Sequence, residues 1–210
     1  MSVYPNAQFL FSAAAAAQFP PDSGAEVAIA GRSNAGKSSA INAITARRAL
    51  ARTSKTPGRT RLLNFFQLSD GKRLVDLPGY GFAAGPPPER DAWAQLIEAL
   101  AQRECLKGLL LVVDARRGLL AADLQLLGWA EGIQRPVHVL LAKSDQLKRA
   151  EARTLLTRSQ AQLEDRGSAQ LFSAHDGLGL DEARRTIDGW LGGATPSNTE
   201  RQKKGPGSPV

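Results

Sequence analysis

Cysteine, long apolar runs and, over one stretch, acid are what this sequence has least of. Its single cysteine, Cys105, cannot close an intramolecular disulfide and cannot build a cysteine-based metal cluster. A reducing compartment, the cytoplasm, is the expected location. No run approaches the roughly 18 apolar residues that a membrane span needs, so no membrane partner is expected. The alanines at 13–17 form a short run without a basic region ahead of it, beside Pro20 and Pro21, and read as a piece of helix, not as a signal peptide. Acid is missing from residues 46–61, which hold Arg47, Arg48, Arg52, Lys55, Arg59 and Arg61. Apolar side chains are nearly missing from residues 194–210 (ATPSNTERQKKGPGSPV), which cannot offset the entropy of ordering and are expected to form a disordered basic tail.

What remains is ordinary for a globular protein: 210 residues, 42% hydrophobic and 22% charged. The net charge of +7 and a pI near 10 suit either a phosphate-rich partner such as nucleic acid or a generic basic surface. Six short runs read as strands, at 26–30 (EVAIA), 62–68, 73–76, 109–114, 137–142 and 169–173. Ser69-Asp70-Gly71-Lys72 between the second and third is a hairpin turn, because Asp-Gly tolerates the positive φ that such turns require. Helices are expected at 38–50, 89–104, 121–132, 149–165 and 181–191. Apolar strands alternating with helices imply a three-layer α/β domain with a mostly parallel sheet and one antiparallel edge hairpin. The domain is expected over residues 25–193, with 1–24 as an extension outside it holding one strand or helix, and with no internal repeat.

The first strand runs into Gly31-Arg32-Ser33-Asn34-Ala35-Gly36-Lys37-Ser38. Strand, G-x-x-x-x-G-K-S and helix form a phosphate-binding loop. Its backbone N–H groups converge on the β-phosphate, Lys37 reaches the β and γ oxygens, and Ser38 ligates Mg²⁺. ATPases, small-molecule kinases and GTPases share this loop, so it does not name the base. Asp76-Leu77-Pro78-Gly79 ends another strand, where a carboxylate holds Mg²⁺ through water and the Gly79 N–H meets a γ-phosphate. Tyr80 stands where many GTPases carry a water-orienting Gln.

Ala142-Lys143-Ser144-Asp145 follows a later strand. A carboxylate at Asp145 can accept from guanine N1–H and N2–H₂, which adenine cannot offer, while the stem of Lys143 lies along the base. The competing reading is a solvated helix start with Asp145 as a cap. Ser173-Ala174-His175 comes last, with an Ala174 N–H available to the guanine carbonyl.

In this order the motifs resemble the EngB (YihA/YsxC) family of bacterial GTP-binding proteins, among the TrmE–Era–EngA–EngB–septin-like GTPases. The residues that carry the resemblance are 26–39, Ser54-Lys55-Thr56-Pro57-Gly58-Arg59-Thr60, Asn64-Phe65-Phe66 and Asp76-Leu77-Pro78-Gly79-Tyr80-Gly81. It extends over about residues 8–191. The resemblance implies a Ras-like P-loop NTPase fold with six strands and binding of GTP or GDP with Mg²⁺. It implies Thr60 as the switch residue ligating Mg²⁺, with Gly58 and Arg59 in the same loop. It also implies a role in assembly of the large ribosomal subunit through rRNA, and a need in cell division and septation. Two residues depart from the family pattern: Ala142, where Thr or Asn is usual, and His175. Asn34 together with Tyr80 raises K⁺ as a further ion, supplying the transition-state charge that an arginine finger supplies elsewhere.

The catalytic set expected is therefore Lys37, Thr60, Gly79 and Asn34, in a slow, monomeric GTPase. The alternatives are a nucleotide-gated RNA- or ribosome-binding module that hardly turns over, and a P-loop kinase or ATPase.

Overall fold

A computed structural model of the chain describes residues 4–51, 62–80 and 87–192. The element order is β1 (Gln8–Ala13), β2 (Ala25–Gly31), α1 (Lys37–Thr45), β3 (Leu63–Ser69), β4 (Lys72–Asp76), α2 (Pro87–Ala101), β5 (Leu106–Asp114), α3 (Ala121–Gly132), β6 (Val137–Ala142), α4 (Arg149–Leu163), β7 (Ser168–Leu171) and α5 (Leu180–Gly192). The strands form one sheet in the order β1-β3-β4-β2-β5-β6-β7.

The central strands read as continuous apolar runs because both faces are covered. Every residue of β2 is buried. Along β5, Leu109, Leu111 and Val113 face the core under α2, α3 and α4, while Leu110 and Val112 face the one under α1 and α5. β4, β2, β5, β6 and β7 run parallel, and β3 pairs antiparallel with β4 across the hairpin, where Gly71 takes φ +69°.

The sheet has seven strands, not six. The additional one is β1, which pairs antiparallel with β3 in the register Phe9↔Phe66 and Ser12↔Asn64. Its sequence did not decide between strand and helix because only its last residue is buried. What fixes it is a neighbour distant in sequence. Phe11 stacks on Phe65 at 5.2 Å, and the β3 backbone has a second edge to satisfy. Residues 4–24 are thus built onto the domain, and Tyr4 is buried against α5 with its hydroxyl donating to Asp188 at 2.8 Å.

Helix α1 stops at Thr45, short of the expected Leu50, with Ala46 in the left-handed region at φ +52°. Asn42 competes for the chain: its side chain accepts from the Ala51 N–H at 2.8 Å and donates to the Ala51 carbonyl at 2.9 Å. At the opposite end of β2 from the phosphate loop, the fully buried Glu26 carboxylate accepts from Arg73 at 2.7 Å and Arg103 at 2.9 Å, joining β2, β4 and the α2–β5 link.

Candidate nucleotide site

The motif residues gather at the carboxyl ends of β2, β4, β6 and β7, the edge where parallel sheets bind ligands. The phosphate loop leaves β2 at Gly31 and enters α1 at Lys37, with Gly36 at φ +109° as the residue before the helix. Arg32 and Tyr80 are joined by an isolated parallel bridge, which lays the end of the Asp76-Leu77-Pro78-Gly79 segment along the loop. Leu77 anchors that segment, buried and donating its N–H to the Ile29 carbonyl at 2.9 Å. Pro78 is buried too.

Lys37 forms an ion pair with Asp76, and both side chains are nearly buried. The second oxygen of Asp76 accepts from Asn64 at 3.3 Å, and Asn64 in turn accepts from the Ser12 hydroxyl at 2.6 Å. The edge strand is thereby tied to the phosphate site. Asn64 was legible only as part of the family pattern, since a strand Asn carries no chemical signal by itself.

The donor set suits Mg²⁺. Ser38 in the first turn of α1 and Asp76 offer hard oxygen ligands. Among the described residues no group of three or more His, Cys, Asp or Glu could hold a metal. Mg²⁺ keeps several waters and binds through one or two protein oxygens plus phosphates, and Ser38 with Asp76 offers that number. Gly58, Arg59 and Thr60 lie outside the described residues.

On the base side, Lys143 takes φ +63° and its ammonium bridges the Asn34 carbonyl at 2.6 Å and Asp114 at 2.9 Å. A Cβ at Gly36 would sit 3.6 Å from both the Ala142 Cβ and the Lys143 Cε, so β6 abuts the phosphate loop. Ala142 has no polar group to make this link, and Lys143 makes it. Asp114 also accepts from Arg116 at 2.6 Å and 2.9 Å. Arg116 and then Lys143 hold its carboxyl well below the usual range despite its burial. Asp114 was legible only as the last residue of a strand.

Asp145 lies in the short turn Ser144–Gln146, exposed, and accepts from the Ser173 hydroxyl at 2.7 Å. It does not cap α4, which begins at Arg149 behind Lys148, so the helix-cap reading of this motif does not hold. Ser144 is buried and donates to the Phe172 carbonyl at 2.9 Å. Ser173 also accepts from the N–H groups of His175 at 3.2 Å and Asp176 at 3.3 Å, which shapes the turn carrying the exposed Ala174 and His175. On the loop itself, Ser33 and Asn34 are exposed and Ala35 is buried.

The Tyr80 hydroxyl donates to Asp123 of α3 at 2.6 Å, on the same oxygen that lies 3.8 Å from Arg32 of the loop. Burial, then the Asp123 carboxylate, push its hydroxyl far up, so it stays a donor.

A family model described as "50S ribosome-binding GTPase" matches residues 26–143. Curated proteins named "Probable GTP-binding protein EngB" from Coxiella burnetii are 48% identical over 192 residues, covering 90% of this chain and 94% of the relative. A crystal structure of a probable GTP-binding protein EngB superposes with a TM-score of 0.64 at 22% identity, over 80% of this chain and 98% of that one. Era in complex with MgGDPNP and a 16S ribosomal RNA segment superposes at 0.62 and 23% identity, over 83% of this chain and 59% of that one. The two superpositions speak to the fold.

Proposed function

The chain belongs to the EngB family of GTP-binding proteins, and from that premise we propose that it is a Mg²⁺-dependent, slowly hydrolysing GTP switch in assembly of the large ribosomal subunit, with a consequent need in cell division and septation. The observation that carries this reading is the convergence of three separate segments at one sheet edge. They are the phosphate loop, the strand-end Asp76 paired with Lys37, and a base loop whose Lys143 reaches Asn34. A kinase or ATPase has no use for Asp145 held by Ser173 beside that loop.

In this reading the amides of residues 32–38 and Lys37 hold the phosphates, and Asp145 with the Ala174 N–H reads guanine. Thr60 and the Gly79 N–H meet the γ-phosphate only in the GTP form. Ser38, Thr60 and a water on Asp76 would hold Mg²⁺, which would supply charge opposite the transferring phosphoryl group. A water attacks the γ-phosphorus, the bond to the β–γ bridging oxygen breaks, and GDP and phosphate leave. The Tyr80 hydroxyl is committed to Asp123 and does not order that water, which supports slow turnover. Asn34 would hold a K⁺ ion whose charge would offset part of that loss, so turnover in KCl is expected to exceed that in NaCl at equal ionic strength.

Arg47 and Arg48 are exposed beside a groove of about 620 Å³ that Phe9, Ser12 and Asn64 also line. A basic, partly aromatic surface supports an RNA partner. We take residues 25–193 as the G domain and 194–210 as a basic tail beyond the described residues.

The test is single-turnover hydrolysis of GTP and ATP with and without 50S particles, beside pelleting with those particles. GTP-only turnover, and tighter pelleting with a non-hydrolysable GTP analogue than with GDP, are expected. Equal use of ATP sinks the guanine assignment, and equal pelleting sinks the switch. GTP-dependent pelleting with no turnover leaves the binding-module alternative.

A further inference from the structure

Asp123 is fully buried in the first turn of α3, and none of the nucleotide motifs contains it. Its oxygens do two different jobs. Oδ2 accepts the Leu120 N–H at 2.8 Å, which closes the start of α3. Oδ1 accepts the Tyr80 hydroxyl at 2.6 Å and lies 3.8 Å from Arg32 Nε. A helix start is served by one oxygen of an Asp at the surface and does not require burying its charge. A buried carboxylate persists only where partners compensate it. Both compensating side chains come from the phosphate site: Arg32 from the loop and Tyr80 from the residue after Gly79.

The backbone between these two side chains has little slack. Arg32 and Tyr80 are bridged, and a Cβ on Gly79 would sit 3.2 Å from the Ser33 nitrogen. The Gly79 peptide therefore packs directly on the loop, with Tyr80 as its handle.

We propose that Asp123 is a positioning residue for recognition of a terminal phosphate: by holding Tyr80 and Arg32 on one oxygen, it keeps the Gly79 N–H against the phosphate loop, and so favours a nucleoside triphosphate over a diphosphate. This rests on the reading of the site as a GTP switch. Of the amides in residues 32–38 that this reading assigns to the β-phosphate, only that of Arg32 belongs to a clamped residue, so binding of a diphosphate depends on the clamp far less than the Gly79 N–H does. Ordering Gly79 in advance lowers the cost of meeting the γ-phosphate alone.

The variants are Tyr80→Phe, which removes one hydroxyl from a partly exposed ring, and Asp123→Asn, which keeps the shape and removes the charge. Affinities for GDP and for a non-hydrolysable GTP analogue are measured on the full chain with Mg²⁺. Loss of a hydrogen bond to a buried carboxylate predicts about a tenfold weaker grip on the analogue, with GDP affinity unchanged within about twofold. The double variant is expected to lose no more than Asp123→Asn alone, since that change already weakens the Tyr80 link along with the Arg32 one. Equal loss for both nucleotides would make Asp123 a fold-holding cap, and no loss would make the clamp irrelevant; either overturns the proposal. If Asp123→Asn fails to fold, Tyr80→Phe decides alone. A wild type that does not separate triphosphate from diphosphate overturns the switch reading itself, whereas a wild type that does, with variants that keep the ratio, overturns only the clamp.

Discussion

Replacing Asp145 by Asn tests the assignment of the base. The carboxylate keeps one hydrogen bond to Ser173 at 2.7 Å and is otherwise exposed, so it has acceptor capacity left for two N–H donors of one base. Each hydrogen bond to a charged group contributes about 1.5–3 kcal/mol, so losing both weakens GTP binding roughly 10²- to 10⁴-fold. The exposure of Asp145 and the share taken by Ser173 favour the lower end of that range. An amide presents a donor where the carboxylate accepted, so the xanthine carbonyl becomes the better match and XTP should gain what GTP loses. The assay is competition against a fluorescent nucleotide by GTP, GDP, XTP and ATP, on wild type and Asp145→Asn, with thermal melting as a fold control. The side chain contributes no core contact, so melting should not move. An Asp145→Asn protein that still prefers GTP over XTP refutes the base assignment.

Other predictions concern parts of the structure away from the base. Glu26→Ala leaves the Arg73 and Arg103 guanidiniums without their buried partner and should cost about 3–5 kcal/mol in urea unfolding; a loss under about 1 kcal/mol would show that water replaces the carboxylate. Burial, with the Asp22 and Glu26 carboxylates, pushes the Cys105 thiol up to about 12. Its thiolate fraction at pH 8 is then roughly 10⁻⁴, so Ellman's reagent should label it only as the chain unfolds, and a rapid phase would contradict this. The lowered Asp114 carboxyl contributes stability that is full above the unfolded carboxylate value of about 4 and is lost as pH falls through its lower folded value. Melting temperatures of wild type and Asp114→Asn should therefore differ most above about pH 4, and the gap should narrow steadily below that and close only as the pH reaches the lowered folded value; a gap that does not narrow between about pH 4 and the most acid pH would show that charge is not its source.

How much of this was legible in sequence varied with the range of the deciding contact. The hairpin at Asp70-Gly71 was legible because two adjacent residues set its backbone. The phosphate loop was legible because strand, glycine spacing and helix lie within a dozen residues. Strand β1 was not, because its pattern is half exposed and its pairing partner begins fifty residues later. The end of α1 was missed for a similar reason: no Gly or Pro marks it, and the side chain of Asn42 stops it by bonding to Ala51.

The candidate site divides in the same way. By itself the sequence determined which groups share one edge of the sheet, since spacing along strand ends puts Lys37, Asp76 and Asp145 at one edge of any parallel sheet built from these runs. Only the tertiary structure decided what holds them there. Asp114 under Lys143, Asn64 under Asp76 and Asp123 under Tyr80 are ordinary polar residues in their own segments, and they became partners because packing put them within hydrogen-bond reach. A motif is local in the chain and can be read from it. The charges and dipoles that orient its side chains come from other strands and helices, and their distances exist only once the sheet has closed around its two cores.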